Sequence, residues 1–367
     1  MITEWDEFPV HQTSEPIAFP ATSDRNFYDR YFFHGYDVGG RFFFAVALGF
    51  YPNRSVVDGA FNVVFQDRQH IVRASRLCTG NRRSLSVGPL HVEVVEPLHA
   101  LRIRVDDNPW GLQGELCFFH RTPPIEEPRF QQRAGTRLWM DYTRMTQHGR
   151  WSGWLRVQNT RFDLDPENTL GARDRSWGVR PVGEPEGGRP TLPWQFFWLW
   201  GPFHLPDACV HFALSEYADG TRWHEYAALI HDPVTQDERP PSREGRAEYK
   251  LNLRPGTRQI RKGEFLFTWD NGQQMNITLE PILHFYMAGL GYGHPEWGHG
   301  RYVGDNVVAG EVWDLTTIDP AVPLYFHVQS LAHIRTSSSE GVGVLEQLMI
   351  GPHSPTGLTG LFDPASE

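Results

Sequence analysis

Residues 265–280 read Phe265-Leu266-Phe267-Thr268-Trp269-Asp270-Asn271-Gly272-Gln273-Gln274-Met275-Asn276-Ile277-Thr278-Leu279-Glu280. Met275, Ile277 and Leu279 alternate with Asn276, Thr278 and Glu280, the period-two pattern of a strand with one buried face. The aromatic run before them and the Asp270-Asn271-Gly272 turn between predict a β-hairpin. The pattern recurs outward along the chain. Leu101, Ile103 and Val105 alternate with Arg102, Arg104 and Asp106, and Val210, Phe212 and Leu214 with His211, Ala213 and Ser215. Asp219-Gly220 and Asp58-Gly59 read as two further hairpin turns. No long 3.6-residue apolar stripe is present, so helices are expected only as short connectors.

Composition agrees with an all-β chain. The 367 residues include 35 Gly and 28 Pro, and 13% are aromatic, which favours many short strands and tight turns. An apolar share of 40% against 21% charged excludes a mostly disordered chain. The length predicts two domains. The border is expected at Asp163–Asn168, after the strand-like Trp151–Val157, giving domains 1–165 and 166–352 and a loose tail 353–367. The Pro- and Gly-rich stretches 121–128 and 182–193, and the polar 232–246, read as loops.

Several function classes fall away. Lys plus Arg total 34 and Asp plus Glu 44, a formal charge of −10, so the electrostatic footprint of a nucleic-acid binder is missing. The lysines are Lys250 and Lys262 alone, and neither sits in an apolar run that would suit Schiff-base chemistry. Cys78, Cys117 and Cys209 are too scattered for a disulfide framework or a zinc knuckle. No nucleophile elbow, phosphate loop or dinucleotide fingerprint occurs, and no cofactor is expected. The acidic N-terminus lacks a secretory signal, and no apolar run approaches the roughly 20 residues of a membrane span. A cytoplasmic protein without an integral membrane segment is expected, and a homo-oligomer stays open.

Four clusters carry candidate chemistry. In Gly171-Ala172-Arg173-Asp174-Arg175-Ser176-Trp177-Gly178-Val179-Arg180, an extended backbone would turn Arg173, Arg175 and Trp177 one way and Asp174 and Ser176 the other. Asp174 is then either a positioned acid or base, with guanidiniums anchoring it from behind, or one half of a structural brace. The run Gly289-Leu290-Gly291-Tyr292-Gly293-His294-Pro295-Glu296-Trp297-Gly298-His299-Gly300 departs from the helical His-Glu-x-x-His spacing, and no metal is expected. It reads as a glycine-shaped turn under Trp297, with His294 or His299 facing a ligand. In Gly310-Glu311-Val312-Trp313-Asp314, Glu311 and Trp313 would share a strand face, where the indole would desolvate the acid and raise its pKa. A strand-edge acid paired with an arginine is the structural alternative. Asp141-Tyr142-Thr143-Arg144 is given a structural role. Finally, Trp194–Trp200 is aromatic on both faces, which suits a strand buried between two layers, with Trp198 a candidate pocket residue.

The Gly-x-Arg-Asp-Arg-Ser-Trp-Gly-x-Arg stretch at 171–180 resembles the signature of the carotenoid 1,2-hydratase (hydroxyneurosporene synthase) superfamily. The runs at 289–300, 310–315 and 140–144 are similar to those of a less characterised bacterial branch. The resemblance implies two consecutive lipocalin-like (calycin) β-barrels with a ligand cavity near their junction, and acid–base or cyclase chemistry on apolar substrates. Asp174 matches the motif, with Arg173, Trp177 and Arg180 beside it. The expected protein is a cofactor-independent enzyme on a terpenoid or lipid-like substrate, and its expected partner is a small hydrophobic molecule. Asp174, Glu311, His294 and His299 are its expected catalytic residues. Trp177, Trp198, Trp297, Trp313, Tyr292 and Arg173 are expected to bind substrate, the indoles stabilising positive charge. A non-catalytic carrier and a carbohydrate-active protein are the competing classes.

Overall fold

The computed structural model describes residues 1–11, 14–184, 195–232 and 242–366. In chain order the strands are β1 (Phe27–Asp37), β2 (Phe43–Tyr51), β3 (Val56–Phe65), β4 (Arg68–Leu77), β5 (Ser86–Val87), β6 (Leu90–Glu96), β7 (Ala100–Val105), β8 (Leu112–His120), β9 (Ile125–Glu126), β10 (Phe130–Ala134), β11 (Arg137–Val157), β12 (Thr160–Leu164) and β13 (Thr169–Val179). They continue as β14 (Phe196–His204), β15 (Ala208–Glu216), β16 (Arg222–His231), β17 (Ser242–Leu253), β18 (Ile260–Trp269), β19 (Gln274–Tyr286), β20 (Val307–Asp314), β21 (Val328–Arg335) and β22 (Glu340–Ile350). Among the described residues the helical elements are short 3-10 turns, as the absence of an apolar stripe requires.

The chain divides into two units, Met1–Thr191 with Ala288–Thr316, and Leu192–Met287 with Thr317–Glu367. The first is an antiparallel sheet in the order β20-β4-β3-β2-β1-β13-β11-β8-β7-β6-β5, with β9, β10 and β12 added along β11. It wraps one apolar core, to which Tyr31 and Phe33 of β1, Val46 and Leu48 of β2, Ile103 of β7 and Trp151 of β11 contribute. The second is a closed barrel of β14-β15-β16-β17-β18-β19-β21-β22, filled by residues such as Phe203, Phe212, Phe267 and Leu279. The hairpin expected at 265–280 is β18–β19, turning at Asp270–Gly272, and the turn at Asp219-Gly220 joins β15 to β16.

Strands β1, β2 and β15 are buried along their whole length, and β14 nearly so. Such strands are covered on both faces, the reading made for the aromatic run at 194–200; Trp194 itself lies outside the described residues. So do residues 185–193 and 233–241 of the expected loops.

Three expectations are corrected. Asp58-Gly59 is not a turn but lies inside β3, paired with Gly49 and Leu48. The expected border at 165/166 also moves. Asp163–Asn168 is a tight connection closed by Asn168 and Thr169 amides on the Asp165 carbonyl, and β13 pairs along its length with β1 and β11 in the first sheet. The tail 353–367 is not loose over its described part, to residue 366. Arg258 donates to the carbonyls of Gly351, Gly360 and Asp363, Leu358 joins the barrel core and Ala365 bonds Thr257. One buried guanidinium thus satisfies several chain-end acceptors at once.

Candidate functional site

Alternation along β13 splits the 171–180 motif between two faces, as the sequence predicts. On the core face, Arg173 is fully buried and donates from Nη1 and Nη2 to Glu7, each at 2.6 Å, and also to Gln147. Arg175 pairs with Asp29 at 2.7 Å and lies over the Tyr31 ring. Trp177 stacks on His11 with ring centroids 3.9 Å apart, while His11 reaches Asp6 and Asp29. Glu7 and Asp29 both stay below the usual carboxylate range: burial opposes this, but the arginines beside them outweigh it. Arg173 and Trp177 are therefore engaged in a structural cluster on the side of the strand away from Asp174. The guanidiniums expected to anchor that acid from behind bind other carboxylates.

Asp174 faces the opposite way. Cross-strand neighbours place Arg30 and Tyr28 of β1, Arg144 and Tyr142 of β11, and Arg180 just past β13 on its face. The Asp174 carboxyl has no hydrogen-bond or ion-pair partner among the described residues, and burial pushes it up to about 6 against the pull of Arg144, Arg180 and Arg30. The residue is only half-buried, so this desolvated acid keeps some solvent access. Gly178, at φ 135°, sits between Tyr28 and Tyr142, and a Cβ there would strike Tyr142. The two rings meet edge-on at 6.2 Å. The aromatic wall near Asp174 is built of tyrosines rather than the expected tryptophans.

The glycine-rich loop completes this face. The Tyr292 hydroxyl accepts from Arg30 at 2.8 Å and from Arg180 at 3.4 Å. His299 lies beside Tyr292, with Nδ1 3.3 Å from the Gly291 carbonyl. Burial, then Arg180 and Arg30, hold its pKa well below the ordinary histidine value, so the imidazole is uncharged at neutral pH. Gly300, at φ 75°, donates its amide to Asp58 at 2.5 Å, and a Cβ there would meet Tyr51. Burial raises Asp58 to about 6 as well. Asp58 and Asp174 are three strands apart on the sheet, roughly 14 Å between backbones, so they do not share a proton.

Glu311 sits elsewhere, on β20, and its chemistry is the reverse of the expectation. The His294 imidazole and the Arg73 guanidinium, with the Trp313 indole N–H, hold it down at about 2, overriding partial burial. It is a carboxylate at any physiological pH and no proton donor. His294 Nδ1 accepts from the amides of Glu296 and Trp297, at 3.2 and 2.9 Å, which places the ring proton on Nε2, 3.5 Å from Glu311. Trp313 lies under Arg73, and Trp297 lines a small space with Asp58 and Arg73. Trp198 belongs to the second unit, where its indole donates to Glu346, which His327 and Gln329 also approach. No grouping of three or more His, Cys, Asp and Glu fit to hold a metal occurs among the described residues.

Asp174, Tyr292 and His299 were singled out as site residues in the sequence; Arg30, Asp58 and Tyr51, which the structure adds around them, were not. Arg144 had been given a structural role and lies on the Asp174 face. No described helix is long and apolar enough to cross a membrane.

No curated protein matches the chain by sequence. Among solved structures it is similar to kievitone hydratase from Nectria haematococca, at 12% identity over 87% of this chain and 88% of that one, with a TM-score of 0.51. It is similar also to CghA, at 13% identity over 89% and 88%, with a TM-score of 0.50. At such identities the likeness is one of fold, and it agrees with the lipocalin-like architecture expected from the sequence. Matched by its model over residues 2–359, the chain belongs to DUF8625, a family of unknown function.

Proposed function

We propose that the protein is a cofactor-independent acid–base enzyme that adds or removes water, or shifts a proton, on a small lipophilic molecule, with Asp174 as the proton donor. The observation that carries this reading is the Asp174 carboxyl itself. It is desolvated, lacks an ion-pair partner among the described residues and titrates near 6, where both of its protonation states are accessible. At pH 7 roughly a tenth of it is protonated, and transfer to a substrate leaves a carboxylate that Arg144, Arg180 and Arg30 favour. In hydration, Asp174 gives its proton to an alkene carbon, a water oxygen bonds to the neighbouring carbon, and the carboxylate takes up the proton that this water releases. Dehydration is the reverse. We assign the orienting of the water to His299, whose imidazole is held uncharged beside Tyr292. Kievitone hydratase shares the fold and carries hydration in its name, which supports this class of reaction.

The test is incubation of the full chain with alkenyl and hydroxylated terpenoids and phenols in deuterated water, read by mass spectrometry. Deuterium uptake, or gain or loss of one water, is expected with the wild type. Asp174→Asn should lose roughly 10²–10⁴-fold in rate. The wild-type rate should fall as pH rises above about 6, where the acid form is depleted. Saturable binding without any product would favour the carrier class, and full turnover by a folded D174N would remove Asp174 from its role.

A further inference from the structure

The deep arginines of the first unit differ in how their charge is met. Arg173 has Glu7, Arg175 has Asp29, Arg73 has Glu311, and Arg144 has Glu127 at 3.7 Å. Arg30, 1% exposed, has no carboxylate within ion-pair distance among the described residues. Nη1 donates to Tyr292, but Nε and Nη2 are buried without a hydrogen-bond partner. Arg180, half-buried, is likewise without a carboxylate at ion-pair distance among the described residues: Nη2 reaches the same tyrosine hydroxyl, and the buried Nε has no partner. The Tyr51 hydroxyl, buried on the same face, has none either. Asp58 and Asp174 act on both guanidiniums at longer range, but neither carboxylate bonds them; the donors left open are planar and suit an oxyanion in fixed geometry.

We infer that Arg30 and Arg180 bind an acidic oxygen of the substrate, a carboxylate, enolate or phenolate attached to its apolar body. The inference rests on the proposed enzymatic reading and narrows its substrate class. It also changes the expected intermediate. Guanidiniums on the face of Asp174 oppose a free carbocation and favour charge that builds on oxygen. Of the indoles expected to shelter a cation, Trp177 is on the other side of β13, and Trp313 lies under Arg73 of β4, four strands away from β13 in the sheet. Proton transfer by Asp174 therefore acts on a carbon or hydroxyl conjugated with the oxygen that the arginines hold. In dehydration the Asp174 carboxylate removes the proton from the carbon next to the group bearing that oxygen, and the C–H pair settles on the held oxygen; as the pair returns to form the double bond, the hydroxyl leaves as water with the proton that Asp174 took up, and hydration is the reverse.

The experiment compares 2-naphthoate with its neutral counterpart 2-acetylnaphthalene, titrated by fluorescence into the full-length protein. The wild type should bind the carboxylate roughly tenfold to a hundredfold more tightly than the ketone. Arg30→Met should erase that preference and Arg30→Lys should keep part of it, since lysine supplies charge without the fork. Equal affinity for the two probes in the wild type, or an undiminished preference in a folded R30M, overturns the inference. The wild-type comparison decides even if R30M does not fold. Because no turnover is read, an anion preference can fail while Asp174 still transfers protons, and can survive when D174N shows that it does not.

Discussion

Replacing Asp174 by Asn should stabilise the protein, and only toward neutral and alkaline pH. The carboxyl titrates near 6 in the fold against an ordinary value of 3.8. With a raised folded value, the native state binds the proton more tightly than the unfolded chain. Its stabilising contribution is complete below about pH 4 and is lost as pH rises through about 6. Two units at about 1.4 kcal/mol each set a ceiling of roughly 3 kcal/mol. The residual solvent access of the side chain brings the expected loss to about 2 kcal/mol. Asn keeps the volume and cannot ionise, so D174N escapes that loss. In a unit of about 200 residues this corresponds to a rise in Tm of roughly 5 °C. Thermal melts of both proteins, followed by circular dichroism between about pH 4 and pH 8, should converge at the acid end and separate as pH passes through 5 to 6. A variant less stable than wild type near neutral pH, or one more stable by the same amount at every pH, refutes the desolvated acid and the proton-donor role built on it.

Two further substitutions separate structure from chemistry. Glu311→Gln leaves the buried Arg73 without its carboxylate, and urea melts should show a loss of about 1–2 kcal/mol, while turnover falls far less than in D174N. Arg173→Met strands Glu7, fully buried, and should cost about 3–5 kcal/mol in the same assay, without altering the preference for 2-naphthoate over the ketone.

How far the sequence could be read depended on whether a residue's partners were near in the chain. β18 and β19 were legible because one face of each is exposed and the pattern alternates cleanly. β1 and β2, buried on both faces, show no such signal: β2 reads only as an apolar run and β1 as a polar-aromatic stretch. Asp58-Gly59 imitated a turn signal. Its actual reasons are distant: Asp58 receives the Gly300 amide, and a side chain at 59 would strike Val87. Glu311 was read from its indole neighbour two positions away. Its titration is governed instead by His294 in the preceding loop and by Arg73 on the adjacent strand, 238 residues back. The boundary near 165 failed for a related reason. A polar turn of a few residues looks the same between two strands of one sheet as between two domains, and only the pairing of β13 with β1 and β11 tells them apart.

The Arg173-Asp174-Arg175 triplet shows why local charge counting misleads in a strand. Two arginines flanking an aspartate should hold it ionised if all three shared a surface. Alternation instead sends the guanidiniums to the core side, where Glu7 and Asp29 neutralise them within bonding distance. What remains at Asp174 is a burial penalty that these neighbours do little to offset, so the carboxyl rises rather than falls. The arginines that do act on it come from β1, from β11 and from the residue just past β13. Of these, Arg30 and Arg180 have no carboxylate of their own among the described residues. On one face of β13 each guanidinium is thus bonded to a carboxylate, while on the other Arg30 and Arg180 meet Asp174 and Asp58 only at longer range. That long-range coupling is the physical link between the acid and the open donors: a substrate oxygen that neutralises Arg30 and Arg180 would weaken their pull on Asp174, raise its pKa further and leave more of it protonated when the substrate is in place.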